Sequence, residues 1–122
     1  MLQQSFLDME EQTDYSDMKD NKRDLTSTIQ TFVQYAEDQG SSNANRYYTS
    51  INRLIRAESG TTNIQLSSKH SDDIALLKNL YKVARKAMIH GMEWYLPYKE
   101  IYQQVKKEVR KAVASSSEKP LV

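Results

Sequence analysis

The feature that most constrains the fold is an amphipathic stretch, residues 72–113, that a glycine and a proline interrupt near its middle. From Ile74 onward, apolar side chains recur every three or four residues, which is the spacing of one face of a helix. A second stripe with the same spacing begins at Ile101. The pattern predicts two helices that form a hairpin or elbow, broken between Gly91 and Pro97, and that carry most of the core.

Two further helices are predicted upstream of this hairpin. The first begins near Asp24 and ends at Gly40, a residue type that commonly terminates helices. The second takes its N-terminal cap from Ser41 or Ser42 and runs to about Ala57. Both have an apolar stripe beside a polar face, as expected of helices that pack on one side only.

Residues 61–69 alternate between polar and apolar side chains around Ile64 and Leu66. The alternation is too short for a confident strand, and no other segment offers a partner strand. We therefore expect a loop whose Ile64 and Leu66 insert into the core. With only three glycines and two prolines, the chain has too few turn residues for an all-β sandwich. The predicted class is all-α, with four to five helices.

A chain of 122 residues is long enough for one core, and 39% hydrophobic with 27% charged residues indicates a globular protein. The sequence divides into a flexible acidic N-terminal segment (residues 1–22), one helical domain (23–114) and a disordered tail (115–122). Residues 1–24 contain seven acidic and three basic side chains, a net charge of −4, whereas residues 82–111 contain eight basic and three acidic ones, a net charge of +5. The acidic segment can lie on the basic helices or compete there with a polyanion, unless both are ordinary solvated faces.

Several classes of site lack the residues they need. The chain has no cysteine, so disulfides and thiolate metal sites are excluded, and His70 and His90 do not have the spacing of a two-histidine metal site. The pair His90 and Glu93 is typical of a surface contact, and no nucleophile triad, carboxylate pair or glycine-rich phosphate loop is present. We expect no enzymatic activity, catalytic residue, metal or cofactor. No apolar run is long enough to span a bilayer and the N-terminus is unlike a signal peptide, which favours a cytoplasmic protein without membrane contact.

A nucleic-acid-binding function is one interpretation of the polar and basic side chains. The second helix begins with Asn43, Asn45 and Arg46, whose amide and guanidinium groups suit bidentate contacts to base edges, although the same residues make a good cap. Basic side chains suited to phosphates continue on its outer face and on the last helix: Arg53, Arg56, Lys106, Lys107, Arg110 and Lys111. The alternative is that the last of these complement the helix dipole and keep the surface soluble.

The aromatic side chains around the break between the last two helices are interpreted as a protein interface. Tyr and Trp are enriched at interfaces because they bury a large area and keep a polar group available. Eight tyrosines exceed what one small core needs, so some are expected to face a second chain. The expected interface of a homo-oligomer consists of Trp94, Tyr95, Tyr98, Ile101, Tyr102 and Val105.

Three segments carry a resemblance to a known family. They are Ser-Ser-Asn-Ala-Asn-Arg-Tyr-Tyr-Thr-Ser-Ile-Asn-Arg-Leu (41–54), Ala-Met-Ile-His-Gly-Met-Glu (87–93) and Tyr-Lys-Glu-Ile-Tyr-Gln-Gln-Val-Lys-Lys-Glu-Val (98–109). These three segments, in this order, resemble the C-terminal domain of phage regulatory proteins of the Rha and antirepressor kind. There, a "small-Asn-Ala-x-x-Tyr-Tyr" helix precedes a "Gly-Met-Glu … Tyr-Lys-Glu-Ile-Tyr" segment.

The resemblance implies a role in prophage gene regulation, in which an N-terminal part recognises DNA or a repressor and this part serves assembly or partner binding. Residues 1–22 stand here in place of a whole N-terminal domain. The chain is then expected to be either an excised domain or a free-standing relative, and in neither case does the resemblance support direct reading of an operator. We expect a self-associating interaction module of a phage or mobile-element regulator, antirepressor-like, with a repressor or other regulatory protein as a possible partner. The alternatives are a nucleic-acid-binding domain and a host-directed phage effector that binds a bacterial protein.

Overall fold

The computed structural model describes residues 2–60 and 71–117, with side chains described for 16–60 and 74–115. The described residues contain no strand and form four helices, which confirms the predicted all-α class and helix number. The helices are α1 (Leu2–Asp38), α2 (Arg46–Ser59), α3 (Ser71–Glu93) and α4 (Tyr98–Ser117). Within these ranges, none of the helices combines the length and apolarity needed to cross a bilayer.

The core lies between α3 and its two main neighbours, α1 and α4. Helix α2 lies lengthwise beside α1 and α4, since its first turn contacts the first turn of α4 and its last turn contacts the later part of α4. Buried apolar residues of α1 recur at helical spacing from Leu25 to Ala36, and α3 presents a matching stripe from Leu77 to Met88. Among the described residues, α1 contributes as many members of the buried cluster as α3 does. Together, α3 and α4 supply about half of this buried cluster, less than the expected majority, because α1 and α2 also present apolar faces.

Helix α1 is much longer than the sequence predicts. It begins at Leu2 instead of near Asp24, so most of the segment expected to be flexible continues the helix. Met18 is 1% exposed and lies one heptad before Leu25, on the same buried face. Asp17 also contacts Lys78 of α3, with the carboxylate oxygen 3.8 Å from the ammonium nitrogen. The sequence hides this extension because the polar and acidic residues around Met18 resemble a linker.

Helix α2 begins later than its serine cap signals predict. Its N-cap is Asn45, without a side-chain capping hydrogen bond, and neither Ser41 nor Ser42 starts the helix. The backbone N–H of Arg46 instead donates to the carbonyl of Asn43 in a turn that precedes α2. This turn buries Ala44, which is 1% exposed, so the segment before α2 is itself attached to the core.

The predicted break between Gly91 and Pro97 is confirmed, although Gly91 itself is still helical. Helix α3 continues through it to Glu93, and the chain turns between Trp94 and Pro97 before α4 begins at Tyr98 as expected. A Cβ atom at position 91 would lie 2.6 Å from Cγ1 of Ile101, which is closer than real Cβ atoms approach. The missing side chain therefore lets α3 and α4 approach closely.

Two predictions concern residues at the limits of the structure. The loop expected at 61–69, with Ile64 and Leu66 in the core, lies outside the described residues. In the tail predicted for residues 115–122, α4 extends to Ser117, and residues 118–122 lie outside the described part.

Candidate functional site

The turn between α3 and α4 (residues 94–97, the α3–α4 turn) has a defined backbone conformation. The N–H of Tyr95 donates to the carbonyl of Met92 at 3.1 Å, and the N–H of Leu96 donates to the carbonyl of Gly91 at 3.0 Å. These two bonds form a Schellman motif, which satisfies carbonyls of the last helical turn. The motif requires a left-handed residue, and Tyr95 takes that position with φ 56°.

Side chains at the C-terminal end of α1 and just beyond it hold the α3–α4 turn from the opposite side. The Tyr35 hydroxyl donates to the carbonyl oxygen of Leu96 at 2.6 Å, and the Gln39 amide donates to the same oxygen at 3.3 Å. The Gln39 amide oxygen accepts a 2.7 Å hydrogen bond from the N–H of Tyr98, in the first turn of α4. Since this N–H has no partner within its own helix, Gln39 acts as a cap supplied from another part of the chain. The turn is thus fixed by contacts more than fifty residues away in sequence.

Two large apolar side chains project from this fixed backbone. Trp94 is 68% exposed and Tyr95 is 84% exposed, and they are the exposed large hydrophobic residues among those the structure describes. The Trp94 ring lies 6.0 Å from the ring of His90, which continues the surface back onto α3. Adjacent exposed aromatic side chains on a rigid turn are a typical protein-binding feature.

A groove adjoins the two aromatic side chains. The α3–α4 groove has a volume of about 560 Å³, and its wall is more apolar than polar. Val83, Ala87, Gly91 and Leu96 supply the apolar wall, whereas Lys86, His90, Gln104 and Glu108 supply polar groups. Because His90 both lines the groove and contacts the Trp94 ring, the groove and the exposed aromatic side chains form one continuous surface.

The structure divides the six residues that were predicted to form an interface. Trp94 and Tyr95 are available to a partner, but Ile101 and Val105 are completely buried in the core, so their prediction as interface residues is wrong. Their helical stripe is part of α4, which packs mainly against α3 and to a smaller extent against α2 within the same chain. One apolar stripe looks the same in a sequence whether a neighbouring helix or a second chain covers it.

Tyr98 and Tyr102 are half-buried and pack against Tyr47 of α2, with ring centroids 6.3 and 5.0 Å from the Tyr47 ring. Tyr47 also meets Phe32 edge-on at 5.0 Å. Burial raises the pKa of the Tyr47 hydroxyl, and the neighbouring Tyr98 and Tyr102 hydroxyls raise this pKa further. Much of the tyrosine excess is therefore used inside the molecule, at the junction of three helices.

The residues predicted to contact bases lie at the start of α2. Asn43, Asn45 and Arg46 are exposed there, beside the buried Ala44. Arg53 and Arg56, predicted to contact phosphates, lie farther along α2 in a polar groove against α1. These five residues therefore occupy one helix and the turn before it.

The basic residues of α4 have different surroundings. The Lys106 ammonium lies 5.0 Å from the centroid of the Tyr102 ring, as in a cation–π contact. Arg110 donates to the carboxylate of Glu58 on α2 at 3.3 Å, while Lys107 and Lys111 are exposed. Two members of the predicted basic face thus have partners within the chain.

Two functional candidates escaped the sequence analysis. Gln39 caps α4, and no pattern in the sequence around either residue predicts a hydrogen bond between Gln39 and Tyr98. Lys22 lines the polar groove with Arg53 and Arg56, but it lies before the predicted start of the first helix and so had no assigned face. In the part of the chain that the structure describes, no group of three or more His, Cys, Asp or Glu side chains could hold a metal ion.

No family model, curated protein or solved structure matches the chain significantly. The resemblance to phage regulatory proteins, and with it the assignment of a biological process, stays a prediction. What the fold establishes is an all-α domain with a rigid, aromatic turn at one end.

Proposed function

We propose that this chain is a self-associating protein–protein interaction module, with Trp94 and Tyr95 at the centre of its interface. The observation that carries the proposal is the exposure of two neighbouring aromatic side chains on a backbone that α1 holds in place. Aromatic anchors on a rigid support bind with little loss of conformational entropy. Tyr95 also adopts a left-handed backbone conformation, which is energetically unfavourable for a residue with a side chain. Such unfavourable conformations are common at functional sites.

A second copy of the chain is the occupant that this surface fits best. The aromatic side chains and the α3–α4 groove adjoin each other, so a two-fold axis allows each copy to insert Trp94 into the groove of the other. The groove has Lys86 on its α3 side and Glu108 on its α4 side. Charges of both signs on one patch can pair across such an axis, which supports self-recognition.

The resemblance to phage regulatory proteins extends the proposal to a biological role. In that role the dimer serves as the assembly part of a phage or mobile-element gene regulator, antirepressor-like, and presents its surface to a repressor or another regulatory protein. The three sequence segments that carry the resemblance support this role.

Sedimentation equilibrium and tryptophan fluorescence of the whole chain test the self-association. Trp94 is the single tryptophan of the chain, so its emission reports directly on this surface. We expect a dimer whose formation shifts the emission to shorter wavelengths as the concentration rises. Trp94→Ala and Tyr95→Ala are each expected to weaken association by tenfold or more, about 1.4 kcal/mol or above, as for interface anchors.

Gln30→Ala is the matched control, because Gln30 is an exposed residue of α1 outside this surface. It is expected to leave both the mass and the emission unchanged. A chain that remains monomeric up to millimolar concentration, with the emission of a solvent-exposed tryptophan throughout, would contradict the proposal. So would a dimer whose stability is indifferent to both aromatic substitutions.

A further inference from the structure

A second groove, between α1 and α2, has a different chemical character. This α1–α2 groove has a volume of about 410 Å³ and is open to solvent. Its side chains are basic, hydroxyl or amide groups without a carboxylate among them: Lys22, Thr26, Tyr48, Thr49, Asn52, Arg53 and Arg56. The volume lies within the range of small-ligand sites in proteins.

Helical spacing on both walls brings these groups together. Lys22 and Thr26 are four residues apart on α1 and therefore share one face of that helix. On α2, Thr49, Arg53 and Arg56 follow each other at intervals of four and three residues and share a face too. The groove is thus a product of helix packing, and neither helix alone would form it.

The three cations of the groove have no acidic partner among the described residues. Two of the nearest carboxylates in sequence are engaged with other cations, and the exposed Asp24 does not line the groove. Asp20 pairs with Arg23 at 2.8 Å, and Glu58 pairs with Arg110 at 3.3 Å. Like charges that face each other across a groove repel, and a bound anion would relieve this repulsion.

The uncharged groups of the groove add further hydrogen-bonding capacity. The Thr26 hydroxyl donates to the carbonyl of Lys22 at 3.0 Å, and the Asn52 amide donates to the carbonyl of Tyr48 at 2.7 Å, which keeps both side chains in position. The Asn52 amide retains a second N–H. The hydroxyls of Tyr48 and Thr49 have no hydrogen-bond partner within the described ranges, so they can donate to a ligand.

We propose that the α1–α2 groove binds a phosphate group. The guanidinium groups of Arg53 and Arg56 match phosphate oxygens in a bidentate manner, and the Lys22 ammonium adds a point charge from the opposite wall. A single carboxylate would leave most of these donors unused, whereas a phosphate has enough oxygens to accept from several of them. The phosphate belongs either to a small phosphorylated molecule or to the backbone of a nucleic acid.

Isothermal titration of the whole chain at low salt, in a chloride buffer, tests this site with three probes: pyrophosphate, a nucleoside monophosphate, and a short duplex DNA of arbitrary sequence. We expect at least one probe to bind. Arg53→Gln and Lys22→Gln, which remove one charge from each wall, are each expected to weaken its binding by about tenfold, as for a charged hydrogen bond. Circular dichroism verifies that both variants fold.

Lys82→Gln is the matched control, because Lys82 is an exposed cation of α3 outside the groove. Its binding should equal that of the unchanged chain. Binding of the small probes alone would identify a site for a phosphorylated small molecule, whereas binding of the duplex with a steep salt dependence would identify the nucleic-acid backbone as the source. Absence of binding by every probe would overturn the proposal, and so would an equal loss in the Lys82→Gln control or no loss in Lys22→Gln.

Discussion

The C-terminal ends of α1 and α3 share one backbone motif but differ in the residue at its central position. At both ends, two backbone N–H groups donate to carbonyls of the last helical turn, and the residue between helix and turn is left-handed. In α1 this residue is Gly40, with φ 104°, whereas in α3 it is Tyr95, with φ 56°. Glycine adopts this conformation without a steric penalty, but an L-residue with a side chain is disfavoured by about 1–2 kcal/mol.

Helix α3 does contain a glycine near its end, two residues before its last residue, Glu93. Gly91 has helical geometry and is needed because Ile101 of α4 occupies the space of its missing side chain. Gly40, by contrast, has no atom within 4 Å of an added Cβ. Gly40 is therefore required by its backbone dihedral angle, whereas Gly91 is required by close packing. In α3 no glycine occupies the left-handed position. The exposed Tyr95 stands there instead, and it is the residue proposed to bind a second chain.

Among these positions, substitution of Gly91 is expected to change the free energy of unfolding most. Gly91→Asn should lower the free energy of unfolding by about 3 kcal/mol, because overpacking would separate α3 from α4. Gly91→Ala should cost less, about 1–2 kcal/mol, since alanine adds fewer atoms and has the better helix propensity. Urea denaturation followed by circular dichroism measures both values.

A double-mutant cycle isolates the cause of this effect. Gly91→Ala should cost less in an Ile101→Ala background, where the opposing side chain is shortened. Equal costs in the two backgrounds would show that Ile101 is not what requires the glycine.

At Gly40 the order is expected to be reversed, with alanine costing more stability than asparagine. Gly40→Ala should lower the free energy of unfolding by about 1–2 kcal/mol, because alanine is disfavoured in the left-handed region. Gly40→Asn should cost less than Gly40→Ala, since asparagine tolerates this region better. The same urea titrations apply. If alanine were tolerated better than asparagine at both glycines, the distinction between a dihedral requirement and a space requirement would not hold.

Tyr95→Gly should have the smallest effect on stability, and in the favourable direction. Relief of the left-handed strain is expected to raise the free energy of unfolding of the monomer by about 0.5–1 kcal/mol, after part of the gain is offset by the flexibility of unfolded glycine. Tyr95→Ala should change this free energy little, because alanine retains the strain. Both substitutions should weaken self-association in sedimentation experiments.

The measurement requires a concentration at which the chain is monomeric, because dimerisation adds to apparent stability. A less stable Tyr95→Gly variant would mean that the tyrosine ring makes stabilising contacts within its own chain. A stabilised variant that still dimerises normally would remove Tyr95 from the interface while leaving the interpretation of its backbone intact.

Regular spacing made some elements of this fold predictable. The apolar stripes after Ile74 and before Gly40 identify helices directly, and the start of α4 at Tyr98 follows from Pro97, which interrupts the helical pattern just before it. The start of α1 was not predictable in this way. Met18 lies alone among polar residues, and only its burial against the rest of the bundle identifies it as part of the helical face.

The candidate interface was predictable in type but not in extent. Local sequence placed Trp94 and Tyr95 at a break between helices, where apolar side chains often remain uncovered. It also placed Ile101 and Val105 in the same set, although the other helices of the chain, α3 above all, cover them completely. Whether a helical stripe is exposed depends on which other helix packs against it, and this information is not local.

The sequence by itself determined the all-α class, the break before α4 and the aromatic character of the turn, because each depends on residue type and on the periodicity of neighbouring residues. Only the tertiary structure decided that Gln39 and Tyr35 fix that turn, that Gly91 is a packing position, and that Lys22 meets Arg53 in one groove. Each of these contacts joins residues far apart in the chain. Their partners are set by how the helices pack, and a one-dimensional pattern carries no record of that arrangement.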